Sequence, residues 1–295
     1  MIKKVVIPAA GLGTRLLSAT KEQPKEMMPI FAKDNSNSLC VKPLLQLLFE
    51  QLYGLRFRDF CFIVGRGKRA IEDHFTPDRE FVKQLNDRRK NNLASDLGAF
   101  YDMVKSSTII WVNQPEPKGF GHAVLMAKPF ISNKPFLVCA GDTYIISHNG
   151  YHIKRLVEVH LKYKADATLL LQRLEIPRGY GIAEAEEVND RVFKVKRVVE
   201  KPEKPPSNLA IIPIYMFNLT IIKALEKTPP GYGGEIQLTD GIQKLIDMGL
   251  SVYAVKMRED ETRLDIGTPE TYWEALSLSY KYFKGEPNVK PHNKK

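Results

Sequence analysis

Cysteine is scarce in this chain, with three among 295 residues. Cys40, Cys61 and Cys139 are odd in number and share no metal-type spacing, which argues against a disulfide scaffold or a zinc site. Cys61 and Cys139 stand inside apolar runs, where a thiol is buried and inert, so a reducing, cytoplasmic setting is expected. Long hydrophobic runs are missing too. None approaches the ~18 residues needed to cross a bilayer, and no membrane association is expected. Met1-Ile-Lys-Lys leads straight into strand-like sequence, so no signal peptide is expected. There is no internal repeat and no low-complexity tract. Acidic charge is in deficit, with 34 Asp and Glu against 44 Lys and Arg, a net charge of +10. Such a balance raises nucleic acid as a partner. Yet the basic residues are scattered apart from Arg66–Arg69, Arg88–Lys90 and Lys290–Lys295, and no aromatic residues interleave with them to stack bases. We expect no nucleic acid; a basic surface favours small anionic substrates instead.

What is present is an ordinary globular composition, 43% apolar and 26% charged, long enough for a large core. Short apolar runs predict strands at Val5–Ile7, Phe60–Val64, Thr108–Asn113, Phe136–Ala140, Ala167–Leu171, Val195–Val199, Ala210–Phe217 and Val252–Val255. Amphipathic stretches predict helices over Pro43–Tyr53, His122–Lys128, Tyr151–Tyr163, Ile236–Met248 and Tyr272–Phe283. This alternation argues for an α/β fold, a mainly parallel sheet with helices on both faces. The charged stretch Asp73–Ser106 reads as a helical insertion at the sheet edge and a candidate contact in a homo-oligomer, a dimer or tetramer. No linker divides the chain, so one domain over residues 1–284 is expected, followed by a basic, frayed tail at 285–295.

The first chemical signal is Val5-Val-Ile-Pro-Ala-Ala-Gly-Leu-Gly-Thr-Arg15, followed by Pro24-Lys-Glu-Met-Met-Pro29. Gly11 and Gly13 let the backbone turn sharply after a buried strand. The N–H groups of Ala10, Gly11, Leu12, Gly13 and Thr14 can cradle phosphate there, and Arg15 and Lys25 add fixed positive charge. The turn is not a dinucleotide fingerprint, because Leu16 stands where the third glycine belongs, nor a P-loop. In open α/β sheets ligands sit beyond the carboxyl ends of strands, and further candidates follow the apolar runs. Asp142, after Phe136–Ala140, suits Mg²⁺, which favours one or two carboxylates plus substrate phosphates. Gln114 offers a donor and an acceptor to the imide edge of uracil, and Gly119 and Gly121 would let backbone approach the base. His122 begins a helix and is read as structural. Glu200 can accept from vicinal hydroxyls, and Lys201 can neutralise a phosphate, although Glu-Lys-Pro is also a common surface turn. Thr239-Asp240 reads as an exposed turn of a helix.

These strings resemble the sugar-phosphate nucleotidyltransferases, whose signature is G-x-G-T-R followed by P-K. Gly11–Lys21 and Pro24–Pro29 are most similar to the bacterial-type branch that couples UTP with glucose 1-phosphate. The resemblance runs over about residues 3 to 283. It implies a Rossmann-like, nucleotide-diphospho-sugar transferase fold, with Mg²⁺ held by Asp142 and Asp265. It also implies sugar contacts from Gly181, Glu200 and Glu235. Arg15 would then hold the leaving pyrophosphate, Lys25 the reacting phosphates and Lys201 the sugar phosphate. The expected reaction joins UTP and glucose 1-phosphate into UDP-glucose and pyrophosphate. Alternatives are thymidylyl transfer, another hexose 1-phosphate, or a regulatory subunit without activity. The polar loop Asn35–Ser38 departs from the family pattern but should leave the site intact.

Overall fold

The computed structural model describes residues 2–286. Its strands are β1 (Lys4–Pro8), β2 (Pro29–Lys33), β3 (Leu39–Pro43), β4 (Asp59–Val64), β5 (Thr108–Asn113), β6 (Phe136–Cys139) and β7 (Thr143–Ile146). The later ones are β8 (Ala167–Arg173), β9 (Ile182–Asn189), β10 (Val192–Val199), β11 (Leu209–Phe217), β12 (Val252–Lys256) and β13 (Thr262–Asp265). Nine form one sheet in the order β5-β4-β1-β6-β11-β8-β12-β10-β9. β5, β4, β1 and β6 are parallel neighbours, as β8 and β12 are, whereas β11 and β10 run against their neighbours. The sheet is mixed and mainly parallel, as expected.

The strand runs are apolar without alternation because both faces are covered. Val5 and Ile7 enter one core cluster with Phe49, Phe60 and Phe62, while Val6, between them, enters another with Cys61 and Val138. Helices Leu44–Gly54 and Tyr151–Lys162 contribute to the first cluster, and helices Phe120–Met126, Thr220–Leu225 and Leu238–Asp247 to the second. Burying each large side chain stabilises the fold by about 1.5–3 kcal/mol. A third, smaller cluster joins Leu16, Met28, Ile30, Leu264, Ile266 and Ala275, and so fixes the helix Pro269–Lys284 beside the glycine turn.

Two short antiparallel ribbons escaped the sequence reading, β2–β3 and β7–β13. The second matters for function, since its register sets Asp265 opposite Thr143, next to Asp142. Helices Arg79–Asp87 and Asn91–Lys105 occupy most of the stretch Asp73–Ser106, the second beside the outermost strand β5. The loop Asn35–Ser38 folds onto that helix, where Asn35 N–H donates to Asp96 Oδ1 at 3.0 Å. The expected tail lies, beyond Glu286, outside the described residues. Among the described residues no helix is long and apolar enough to cross a membrane.

His74 makes the region under the insertion acid-sensitive. Gln46 donates its Nε2 to Glu50 at 2.7 Å, so its carbonyl oxygen faces His74 Nε2 at 2.9 Å and must accept from it. Burial lowers the imidazole to about 4, so it folds neutral. An unfolded chain takes up that proton near pH 6.5. Stability is therefore complete above pH 6.5 and falls as pH drops toward 4, by up to about 3 kcal/mol. Urea unfolding of His74→Gln beside the parent chain checks this, the variant's stability being expected to fall less over that window.

Candidate active site

β1 ends against β4, with Ala9 N–H donating to Ile63 O at 2.8 Å, and the chain then turns through Gly11–Gly13. Of the two glycines only Gly13 needs its lack of a side chain for conformation, at φ 67°. Gly11 lies against Lys25, whose Cε would stand 3.5 Å from a Cβ there, an ordinary contact distance. Thr20 Oγ1 donates to Gly13 O at 2.8 Å and closes the turn. Arg15 is exposed at its rim.

Beside the turn is a chain of alternating charges. The Lys25 ammonium donates to Asp142 Oδ2 at 2.5 Å. The next residue, Glu26, is 1% exposed and receives Lys68 Nζ at 2.8 Å, Lys68 being 6% exposed itself. The Asp142 charge, working against burial, holds Lys25 above the usual lysine range. Burial pushes the Asp142 carboxyl up, but the Lys25 charge and hydrogen bond prevail and hold it below its ordinary value. Burial, then the neighbouring Asp142 charge, raises Asp265. Two carboxylates that repel each other at the mouth of a sheet are a place where bound positive charge is favourable.

Gln114 begins where β5 ends, its N–H donating to Val64 O at 2.7 Å. Its side chain differs from expectation. The amide Nε2 already donates to Gly119 O at 3.2 Å and to His122 Nδ1 at 2.9 Å. Burial, with the Lys118 charge adding to it, lowers His122, so the ring stays neutral and accepts there. Gln114 therefore turns its carbonyl oxygen outward, an acceptor only. The two glycines also differ from expectation. A Cβ on Gly119 or Gly121 would meet Ile236 O at 2.8 and 2.7 Å. Their smallness lets the chain close on Ile236, whose N–H donates to Lys118 O at 2.8 Å. Gly119 still lines the cavity; Gly121 does not.

The other wall comes from the β9–β10 hairpin. Near its turn the hairpin pairs with β12 (Val192 opposite Val255), and at its open end Ile182 returns to β11 opposite Ala210. Gly181 precedes β9, and Glu200 and Lys201 follow β10, a strand running against β12. These residues thus reach the site through an antiparallel hairpin rather than a parallel strand's carboxyl end. Glu200 Oε2 accepts from Thr239 Oγ1 at 2.6 Å, and Oε1 lies 3.4 Å from Lys201 Nζ. Lys201 takes a left-handed φ of 40°, costly for a residue with a side chain and held by its N–H to Tyr180 O at 3.1 Å.

Apart from Gly121, every candidate residue lines one cavity of about 650 Å³: Ala10–Arg15, Lys25, Gln114, Gly119, Asp142, Gly181, Glu200, Lys201, Glu235 and Asp265. None of Asn35–Ser38 does. The sequence reading missed Thr239, which is buried rather than an exposed turn, and Arg263. Arg263 donates to Tyr180 Oη and lies 4.9 Å from the Tyr180 ring centre. Its place two residues before Asp265 in β13 was the only signal for it.

One cavity thus gathers a glycine turn with Arg15 and Lys25, the acidic pair Asp142 and Asp265, and the polar groups of Glu200, Lys201 and Thr239. The chain belongs to the nucleotidyl transferase family, whose model matches residues 4–281. It is similar to the UTP–glucose-1-phosphate uridylyltransferase of Pseudomonas aeruginosa, 36% identical over 95% of this chain and 96% of that one. The enzyme of the same name from Staphylococcus haemolyticus is 38% identical over 90% of this chain and 88% of its own. Among solved structures, a UDP-glucose pyrophosphorylase complexed with UDP-glucose superposes with TM-score 0.82 at 32% identity, covering 97% and 100% of the two chains. The UTP-bound enzyme of Acinetobacter baumannii gives 0.82 at 28% identity, covering 98% and 96%. The fold is that of the nucleotide-diphospho-sugar transferases.

Proposed function

We propose that this chain transfers a uridylyl group from UTP to glucose 1-phosphate, giving UDP-glucose and pyrophosphate. One observation carries it: Lys25 and Asp142, on the nucleotide side, and Glu200 and Lys201, on the sugar side, line a single cavity with Asp265. The outward carbonyl of Gln114 accepts from the uracil N3–H, a proton that thymine shares, so this contact selects against cytosine rather than thymine. The turn Ala10–Thr14 holds the triphosphate, with Arg15 on the departing pyrophosphate. Gly181, Glu200 and Glu235 bind the sugar hydroxyls, and Lys201 orients its phosphate. That phosphate oxygen attacks the α-phosphorus in line while pyrophosphate leaves opposite. No proton need be removed, because the phosphate is already ionised, so catalysis is positioning and charge neutralisation.

Asp142 and Asp265 are hard oxygen donors, and their mutual repulsion fits them to Mg²⁺. Among the described residues no cluster of three or more acidic, histidine or cysteine side chains could hold a metal, so substrate phosphates would complete its shell. Bound there, Mg²⁺ would neutralise the phosphate charge that keeps the two substrates apart. The same reading takes the enzyme to be cytoplasmic and homo-oligomeric, a dimer or tetramer, the latter checked by sedimentation velocity.

Pyrophosphate release, measured for each nucleoside triphosphate against several hexose 1-phosphates with and without Mg²⁺, tests the proposal. UTP with glucose 1-phosphate should turn over fastest and only with the metal. Preference for dTTP or another sugar would correct the substrate, and no turnover with any pair would leave a non-catalytic protein. Within this reading, His122→Ala frees one Gln114 N–H and lets the amide rotate. We expect KM for UTP to rise about 2- to 10-fold, the worth of one hydrogen bond, with kcat within about twofold. An unchanged KM would remove the orienting role of His122.

A further inference from the structure

The ribbon β7–β13 has four residues in each strand, too few to hold a register by themselves. Its site end is closed by backbone, with Ile266 N–H donating to Asp142 O at 3.2 Å. Its far end is closed by one side chain. Glu261, the residue before β13, continues the register opposite Ser147, the residue after β7. Its Oε1 accepts from Ser147 Oγ at 2.7 Å and from the His152 N–H at 3.0 Å. Oε2 accepts from the Arg258 N–H at 2.8 Å. One carboxylate thus ties the end of β7, the first turn of helix Tyr151–Lys162 and the turn that leads from β12 into β13. The Glu261 side chain is 2% exposed, and the His152 ring, with Nδ1 3.4 Å from Oε1, is fully enclosed.

Burying a carboxylate is costly, and an apolar side chain of similar size would often cost less. Burial pushes the Glu261 carboxyl up, but its donors prevail and hold it below its ordinary value. Three donors converge on two oxygens, a set that a carboxylate answers and an amide, with one oxygen, does not. We propose that Glu261 is a positioning residue for the reaction, fixing the register of β13 on β7 and with it the place of Asp265 beside Asp142. Asp265 stands at the other end of β13, about 13 Å along the strand, and Glu261 does not line the cavity. It acts only through the strand. A two-residue slip would keep the same faces inward yet set Arg263 or Gly267 opposite Thr143 in place of Asp265. The register claim stands apart from the assigned reaction; only the kinetic claim rests on it.

Glu261→Gln keeps the shape and removes one acceptor. Hydrogen exchange followed by mass spectrometry should show its 262–265 amides exchanging about tenfold faster, with those of β8 unchanged. The variant should also lose about tenfold in kcat and need more Mg²⁺ for half-maximal rate, with KM for UTP within about twofold. Thr168→Val is the control. It removes a buried bond to His160 at 3.0 Å in the main sheet, so it should lower the melting temperature but leave the Mg²⁺ requirement unchanged. If Glu261→Gln does not fold, Ser147→Ala is read in its place, with a smaller shift in the same direction. Ser147→Thr, which keeps the hydroxyl on extended backbone, should then restore the parent behaviour. Exchange of 262–265 at the parent rate would overturn the clamp. Faster exchange with kcat and Mg²⁺ requirement unchanged would overturn its bearing on the carboxylates. A parent chain without turnover on any substrate pair would overturn the assigned reaction, while exchange still decides the clamp.

Discussion

Replacing Lys25 with alanine is expected to lower turnover about 10²-fold or more, the ~2.7–4 kcal/mol typical of removing one preorganised charge from a transition state. Lys25 joins the glycine turn to Asp142. Its aliphatic stem packs beside Gly11 in the glycine turn, and its ammonium rests on Asp142. Phosphate entering the turn meets a cation already positioned and kept charged, since Asp142 holds it above the ordinary lysine range. Lys25→Arg should also fail, because a planar fork cannot occupy the point position that an ammonium takes beside Asp142. The fold should survive both changes. The Lys25 and Asp142 side chains are 15% and 21% exposed at the edge of a polar cavity, so water can answer an unpaired Asp142. Steady-state pyrophosphate release and a thermal melt check the two halves. Near-normal turnover in a folded Lys25→Ala chain would discard the role.

The site was legible in the sequence wherever a local pattern carries the chemistry. The glycine turn, Gln114 and Asp142 each follow an apolar run, and the chain ends such runs at the mouth of a parallel sheet. Elsewhere the pattern was too short or too distant. β7 and β13 have four residues each, below the length at which alternation can be read, yet their pairing brings Asp265 to Asp142. β9 reads IAEAEEVN, with its last four residues exposed, so no apolar run announced it. The glycines Gly119 and Gly121 were visible as glycines, but not their partner, since Ile236 lies more than a hundred residues away. The same holds for Thr239 on Glu200: a side-chain pair across 39 residues leaves no trace in spacing.

Lys68 is the deepest instance of a partner invisible in spacing, and its loss should cost the most stability. It sits 42 residues from Glu26 and donates to it at 2.8 Å with both side chains almost wholly enclosed. Burial raises Glu26 even against the Lys68 and Lys25 charges, so the pair compensates a cost more than it adds stability. Lys68→Met leaves that carboxylate buried without its nearest cation and should lower unfolding free energy by about 3–5 kcal/mol in urea at neutral pH. Adding Glu26→Leu removes the stranded charge as well and should recover stability to within about 1 kcal/mol of the parent chain. Kinetics then separate stability from placement. Glu26 shares a single helical turn with Lys25, and its Cγ lies 3.3 Å from where a Cβ on Gly141 would stand, so the pair braces both Lys25 and the approach to Asp142. If that bracing matters, the double variant is stable yet turns over about tenfold more slowly at unchanged KM, since the displaced charge acts in the transition state. Full turnover in the stable double variant would reduce the pair to a structural element. A double variant as unstable as Lys68→Met would show that the ion pair itself, rather than the stranded charge, holds the turn.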